Sequence, residues 1–210
     1  MIRILIADDH AIVRKGFVQI ISGSLDLQVA AEAASSSEVF QLVRQASFDV
    51  VVLDLHMPEQ SGLETLKQLK TEFPDLPVLV LSMYGEDQYA VRVLRAGAAG
   101  YLTKESAPDL LVQAIRKVAS GRKYVSSAVA ESLLDLMDGE PGKSLHEQLS
   151  DREFQVLKML AEGKSVTEIG ELLSLSVKTI STYRARVLQK MNIQSNAEIA
   201  RYALEHNLIY

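Results

Sequence analysis

Residues Val50–Gly62 read VVVLDLHMPEQSG. Four apolar residues, three of them β-branched, run into one acid, Asp54, and then into Pro58 and Gly62. An unbroken apolar run of this length predicts a strand buried on both faces, as in a parallel sheet covered by helices. An acid closing such a strand lies on the sheet's carboxyl edge, where open α/β sheets place their chemistry. Pro58 disfavours the helical region at Met57, so a loop precedes the next helical pattern. A lone acid at a strand end more often does no more than end the strand. The residues at the other strand ends decide between the two readings.

Outward from Asp54, apolar runs at Ile2–Ala7, Leu27–Ala31, Val78–Leu81 and Ala99–Leu102 join Val50–Leu53 as strands. They alternate with helical patterns over about 11–22, 35–46, 60–73, 86–96 and 106–120. This alternation predicts βαβ units, a parallel sheet and, with right-handed crossovers, a five-stranded doubly wound domain. Ser106 ahead of Ala107-Pro108-Asp109 marks a helix start, and Gly121 marks its end. From Arg122 no further strand is expected. Ala128–Met137 has the pattern of one amphipathic helix, and DGEPGKS (138–144) has the composition of a linker. The remainder predicts four short helices, about 151–162, 166–173, 177–191 and 195–206. Ser150 with Glu153 forms a capping-box pattern, and Ser176 and Ser195 suit the N-caps of the third and fourth helices.

Composition sets outer bounds. The chain has 210 residues, 48% hydrophobic and 23% charged, enough for two globular domains. With no cysteine, disulfides and thiolate chemistry are excluded. The N-terminus, MIRILIADDH, is too short in apolar residues for a signal peptide, and no apolar run reaches the ~18 residues of a membrane span. A cytoplasmic location is therefore expected, with no membrane partner. The net charge of −5 argues against bulk nucleic-acid affinity, yet its distribution is uneven. Residues 147–210 carry eight basic and eight acidic side chains, so the first 146 hold the whole acidic excess. Between Glu171 and Glu198 there is no acid, while Lys178, Arg184, Arg186 and Lys190 all fall there.

Asp8 and Asp9 end the first strand, Ser82 ends the fourth and Lys104 follows the fifth. In a doubly wound sheet the first and third strands are neighbours, so Asp8, Asp9 and Asp54 meet. Three crowded carboxylates repel unless a cation joins them, and their hard oxygens select Mg2+ or Mn2+. A hydroxyl and an ammonium suit phosphoryl oxygens, and a carboxylate can itself accept a phosphoryl group as an acyl phosphate. Taken singly, the Asp8-Asp9 pair suits a turn, and Lys104 a solvated charge. Together the five describe a phosphoryl site around Asp54. Other readings fail on context. Gly163-Lys164-Ser165 lacks the upstream glycine and strand of a P-loop, and His10, His56, His146 and His206 show no metal spacing. A phosphoaspartate hydrolase would need a second acid and a substrate cap, and neither is found.

ILIADDH, VVVLDLHMP, VLVLS and GYLTK, in this order, resemble the receiver domain of bacterial two-component response regulators over residues 1–121. The resemblance implies a flavodoxin-like α/β fold with strand order 2-1-3-4-5. It implies Asp54 as phospho-acceptor, with a sensor histidine kinase as donor. Asp9 and Asp54 would bind Mg2+ directly, Asp8 through water, and His56 through its backbone carbonyl. Ser82 and Lys104 would hold the phosphoryl group, and Tyr101 occupies the aromatic switch position. Such a domain is not an enzyme beyond assisting its own phosphorylation and dephosphorylation. Glu105 stands where many receivers have proline, so the familiar Lys-Pro cis bond is absent.

In the tail, Glu168–Leu173, a turn at Ser174–Leu175 and Ser176–Met191 have the layout of a helix-turn-helix. Ile180, Val187 and Met191 form one apolar stripe, and Lys178, Ser181, Thr182, Ala185 and Gln189 lie opposite. Small and polar residues let a helix approach base edges, and flanking cations, Lys190 among them, neutralise phosphates. A merely solvated face would read similarly. The segment LSDREFQVLKMLAEGKSVTEIGELLSLSVKTISTYRARVLQKM (149–191) is similar to the all-α, tetrahelical LuxR-type domain of the NarL/FixJ regulators. VKTISTYRARVLQKMNI most resembles the branch containing BvgA, EvgA and GacA. The domain organisation expected is thus a receiver over 1–121, a linker with one helix over 122–148 and a LuxR-type domain over 149–210. The resemblance implies Val177–Met191 as recognition helix, with Lys178, Ser181, Thr182 and Ala185 in the groove of promoter DNA. Thr179, Tyr183, Arg184 and Arg186 would contact the backbone, although much of the family has His and Val at the positions of Tyr183 and Arg184. It further implies a homodimer through the fourth helix, Asn196–Glu205, on phosphorylation or DNA binding, and RNA polymerase as a further partner. Two rival classes stand beside this reading: a DNA-binding protein whose receiver only dimerises, and a phosphate sink or scaffold that binds no DNA.

Overall fold

The computed structural model describes all residues except 56, 58–61, 84–86, 127–128, 131–144, 207 and 210. The chain divides into two compact units, Met1–Met137 and Asp138–Tyr210.

The first unit alternates strand and helix: β1 (Ile2–Ala7), α1 (Ala11–Ser22), β2 (Leu27–Ala33), α2 (Ser36–Gln45), β3 (Val50–Asp54), α3 (Gly62–Glu72), β4 (Val78–Ser82), α4 (Asp87–Arg95), β5 (Gly100–Thr103) and α5 (Ala107–Ala119). The strands form one parallel sheet in the order β2-β1-β3-β4-β5, as expected. All five residues of β3 and of β4 are buried, which is why neither shows the alternation of a half-exposed strand. Ile4, Ile6, Val52, Leu81, Leu111 and Ile115 belong to one continuous core. Register brings the chemistry together. Ala7 pairs with Leu53 and Asp54 with Leu81, so Asp8 emerges beside Asp54; Ser82 pairs with Thr103, immediately before Lys104.

The helix start at Ser106 and its end before Gly121 are as expected, and two local contacts add to them. Ser106 occupies the N-cap position of α5 without capping it. Its hydroxyl and amide are bonded instead to Thr103, which ties down the loop carrying Lys104. Past Gly121 (φ +79°), the chain does not leave at once: Tyr124 forms a parallel bridge with Gly100 on the outer edge of β5. Of the helix expected over Ala128–Met137 only Val129 and Ala130 are described, both helical; residues 138–144 lie outside the described residues.

The second unit opens with a 3-10 turn, Leu145–Gln148, and continues with α6 (Asp151–Ala161), α7 (Val166–Leu172), α8 (Val177–Met191) and α9 (Asn196–Glu205). Each helix starts on a serine whose side chain accepts a backbone N–H: Ser150, Ser165, Ser176 and Ser195. The first two are reciprocal capping boxes with Glu153 and Glu168. The turn between α7 and α8 is close. Ser174 takes φ +53°, the Leu175 amide donates to the Gly170 carbonyl at 2.8 Å, and a Cβ on Gly170 would lie 2.9 Å from the Leu175 oxygen. Glycine is therefore required there.

Candidate functional site

Three strand ends converge at the carboxyl edge of the sheet. Asp8 and Asp54 are 1% exposed and Ser82 is fully buried. The Lys104 ammonium reaches across from the end of β5 to lie 2.7 Å from Asp8 Oδ2 and 2.7 Å from Asp54 Oδ2. It donates an aligned hydrogen bond to Asp54, whereas Asp8 Oδ2 has the ion pair but no aligned hydrogen bond among the described residues. Burial works against the charged form of Lys104, but the Asp54 and Asp8 carboxylates outweigh it and hold its pKa above the ordinary value. The Lys104 amide also donates to the Ser82 carbonyl at 2.7 Å, fixing the loop against β4. Tyr101, one register position before Leu102 and its partner Leu81, is among the largest fully buried side chains.

Asp9 is more open, and His10 stands over it with Nδ1 2.6 Å from Asp9 Oδ1. The His10 amide donates to Asp8 Oδ1 at 2.8 Å. One ligand atom from each of Asp8, Asp9, His10 and Asp54 lies within 4.8 Å of all the others. The donor set is rich in hard carboxylate oxygen, and Asp8 Oδ2 is buried with an unfilled hydrogen-bonding direction, so the cluster fits a hard divalent cation. His56, expected to offer its carbonyl, lies outside the described residues.

Three supports were not read from the sequence. Arg14 donates from Nη1 to the Asp8 carbonyl at 2.5 Å and pairs through Nε with Glu32, steadying the end of β1. His10, whose position in the sequence shows no metal spacing, belongs to the cluster itself. Gly62 packs so tightly on the end of β3 that a Cβ there would fall 2.4 Å from the Asp54 carbonyl oxygen. Arg14 and Gly62 have no local signature, because each acts on a residue several positions away that the fold brings near; His10 adjoins Asp9 in the chain, and only its place near Asp54 is set by the sheet.

In the second unit, α8 buries Ile180, Val187 and Met191 and exposes Lys178, Ser181, Thr182, Ala185, Arg186, Gln189 and Lys190. Thr179, Tyr183 and Arg184 are half-buried. Two of the expected phosphate-facing cations have partners within the unit. Lys190 lies 2.6 Å from Glu153, whose carboxylate also accepts the Ser150 amide, and Arg184 Nε donates to Asn196 Oδ1 at 2.7 Å. Lys190 thus joins α8 to the start of α6, and Arg184 joins α8 to α9. On α9, Ile199 and Ala203 are buried while Leu204 is 55% exposed. No described helix is long and apolar enough to cross a membrane.

Comparison with known proteins agrees with both halves. Residues 4–116 match the family model of the response regulator receiver domain, and residues 147–203 match that of the bacterial regulatory proteins of the luxR family. Response regulator UvrY of Escherichia coli K12 is 36% identical over 209 residues, covering 99% of this chain and 96% of that protein. Response regulator GacA of Pseudomonas aeruginosa is 37% identical over 210 residues, covering 100% and 98%. Among solved structures, RcsB of Salmonella enterica serovar Typhimurium, bound to promoter P1flhDC in the presence of the phosphomimetic BeF3-, is 28% identical. It aligns with a TM-score of 0.60, covering 96% of this chain and 97% of that one. The chain belongs to the two-component response regulators of the NarL/FixJ type, transcription regulators in which a receiver is followed by a LuxR-type DNA-binding domain, and to the group that includes GacA.

Proposed function

We propose that this response regulator is switched by phosphorylation of Asp54 and reads promoter DNA through α8. The observation that carries the first part is the meeting of Asp8, Asp54 and Lys104 within 2.7 Å contacts at one sheet edge. In the reaction, an Asp54 carboxylate oxygen attacks the phosphorus of a phosphohistidine on a sensor kinase. The P–N bond breaks as the P–O bond forms, and the departing imidazole nitrogen takes up a proton. Asp8, Asp9 and Asp54, with the His56 carbonyl, are the residues to hold Mg2+, which when bound neutralises phosphoryl oxygens. Lys104, already protonated and aimed at Asp54, takes a phosphoryl oxygen, and the Ser82 hydroxyl takes another. Tyr101 follows Ser82, and the surface of α4 and α5 changes with it. The chain acts on its own phosphoryl group and on no separate substrate.

The added charge, up to about −2, biases a two-state equilibrium toward a homodimer that binds DNA. The boundaries proposed are a receiver over 1–121, a linker over 122–148 and the DNA-binding domain over 149–210. Lys178, Ser181, Thr182 and Ala185 enter the major groove, Thr179, Tyr183, Arg184, Arg186 and Lys190 lie toward the phosphates, and α9 joins two copies across a twofold axis. The likeness to RcsB, solved on a promoter with a phosphomimetic, supports this reading, and RNA polymerase is a further partner consistent with it. The test is promoter binding by wild type and Asp54→Ala, each with and without a phosphodonor and Mg2+. A phosphodonor response in wild type alone is expected; equal affinity in all four conditions overturns phospho-control. Steep loss of binding with rising salt, near −0.9 in slope per phosphate contacted, separates a DNA reader from a scaffold.

A further inference from the structure

Resting on the reading of α8 as the groove helix, the character of its outer face narrows what it can recognise. Lys178, Thr182, Ala185 and Gln189 stand at i, i+4, i+7 and i+11 and form one exposed stripe opposite the buried residues. The Thr182 hydroxyl donates to the Lys178 carbonyl one turn back, at 2.9 Å. Its proton is spent inside the helix, and the γ-methyl is the part of the side chain not turned back onto the backbone. Ala185 beside it offers only a methyl. The middle of the stripe therefore carries two methyl groups, a hydroxyl oxygen left only as an acceptor, and no amide, guanidinium or carboxylate; the groups along it able to donate to base edges stand at its ends, with Ser181 on its flank. Val177, 44% exposed at the first turn, adds a further apolar surface at the leading edge. In the major groove the base feature that suits an apolar contact is the thymine 5-methyl.

We propose that Thr182 and Ala185 are specificity residues that read thymine 5-methyl groups, so each half-site holds thymine opposite the middle of α8. Recognition there is methyl against methyl, while Lys178 and Gln189 supply the polar contacts on either side.

The test starts from duplexes selected out of a random pool by the full-length protein with acetyl phosphate and Mg2+. Each thymine of the selected half-site is replaced in turn by deoxyuridine, which removes the methyl and nothing else, and Kd is measured at fixed salt. Wild-type protein should bind at least one such duplex about fourfold more weakly, the value of one buried methyl group. Thr182→Ser, which keeps the hydroxyl and its bond to Lys178, or Ala185→Gly should bind the thymine and uracil duplexes alike at that position. Half-sites without thymine, uracil duplexes that bind as well as their parents, or a methyl dependence undiminished in both variants would each overturn the inference while leaving DNA binding intact. Failure to select any duplex would instead overturn the underlying reading of α8, and this inference with it.

Discussion

The backbone amide of Tyr101 donates to the carbonyl of Tyr124 at 3.2 Å, so a residue past the last helix of the receiver holds a residue of β5. The Tyr124 amide returns the contact to the Ala99 carbonyl at 2.9 Å, and Lys117 lies 5.4 Å from the Tyr124 ring. The edge strand is thereby covered by the start of the segment that leads to the second unit. Gly100 makes room for this strap: a Cβ there would meet the Tyr124 oxygen at 2.7 Å and its Cβ at 2.9 Å. Gly100→Ala should cost about 1–3 kcal/mol of receiver stability and speed amide exchange at Tyr101. Urea unfolding and hydrogen exchange measure both; unchanged exchange at Tyr101 would show that the strap is not displaced.

Lys104 neutralises two carboxylates that are almost completely buried. Lys104→Met leaves them facing each other, a loss of about 3–5 kcal/mol with metal chelated away. Mg2+ should recover part of that loss, since a ligand that binds only the folded state stabilises it. Thermal unfolding in EDTA and in Mg2+ reads both, and a variant as stable as wild type in EDTA would contradict the charge argument.

Gly62 sits against the Asp54 carbonyl and the Leu55 Cα, each 2.4 Å from where a Cβ would stand, and its amide donates to the Leu55 carbonyl at 3.0 Å. No flexible side chain can give way there. Gly62→Ala should therefore shift β3 relative to α3, costing about 3 kcal/mol and most of the phosphorylation by acetyl phosphate. Full phosphorylation of a folded Gly62→Ala protein would mean that the loop is looser than this packing requires.

In the second unit, Glu153 is 2% exposed and caps α6 while pairing with Lys190. Burial raises its pKa, but the Lys190 ammonium and the Ser150 hydrogen bonds prevail and hold the carboxyl below the ordinary glutamate value. A lowered carboxyl pKa contributes stability at neutral pH that is lost as pH falls through the folded-state value. Glu153→Gln should thus destabilise this unit by about 2 kcal/mol at pH 7, with the difference from wild type shrinking below about pH 4. Exchange protection of α6 and α8 amides across pH follows it, and a gap independent of pH would assign the loss to packing.

The alternation of elements and the four helices of the tail were legible because each rests on local periodicity: unbroken apolar runs for β3 and β4, and a 3.6-residue stripe through Ile180, Val187 and Met191. The strand order, a non-local property, came from the resemblance to receiver domains and not from periodicity. The caps at Ser150, Ser176 and Ser195 were legible for the same reason, each being a contact over three residues; the Ser165–Glu168 box was not read. The Thr103–Ser106 exchange, the Tyr124 strap and the partners of Arg184 and Lys190 were not. An isolated residue next to a helix offers a hydrogen bond to whichever group the fold brings near, and two cations that look alike in sequence differ once Glu153 and Asn196 lie beside them.

The sequence by itself determined a parallel sheet with acids, a hydroxyl and a lysine at its strand ends, because apolar length and punctuation dictate where strands stop. Only the tertiary structure decided that Lys104 spans Asp8 and Asp54, each at 2.7 Å, and that Arg14, His10 and Gly62 hold the cluster in place. Those contacts join residues up to 96 positions apart, Lys104 and Asp8 being the widest pair. Their energies depend on distance and burial, which no local pattern in the chain encodes.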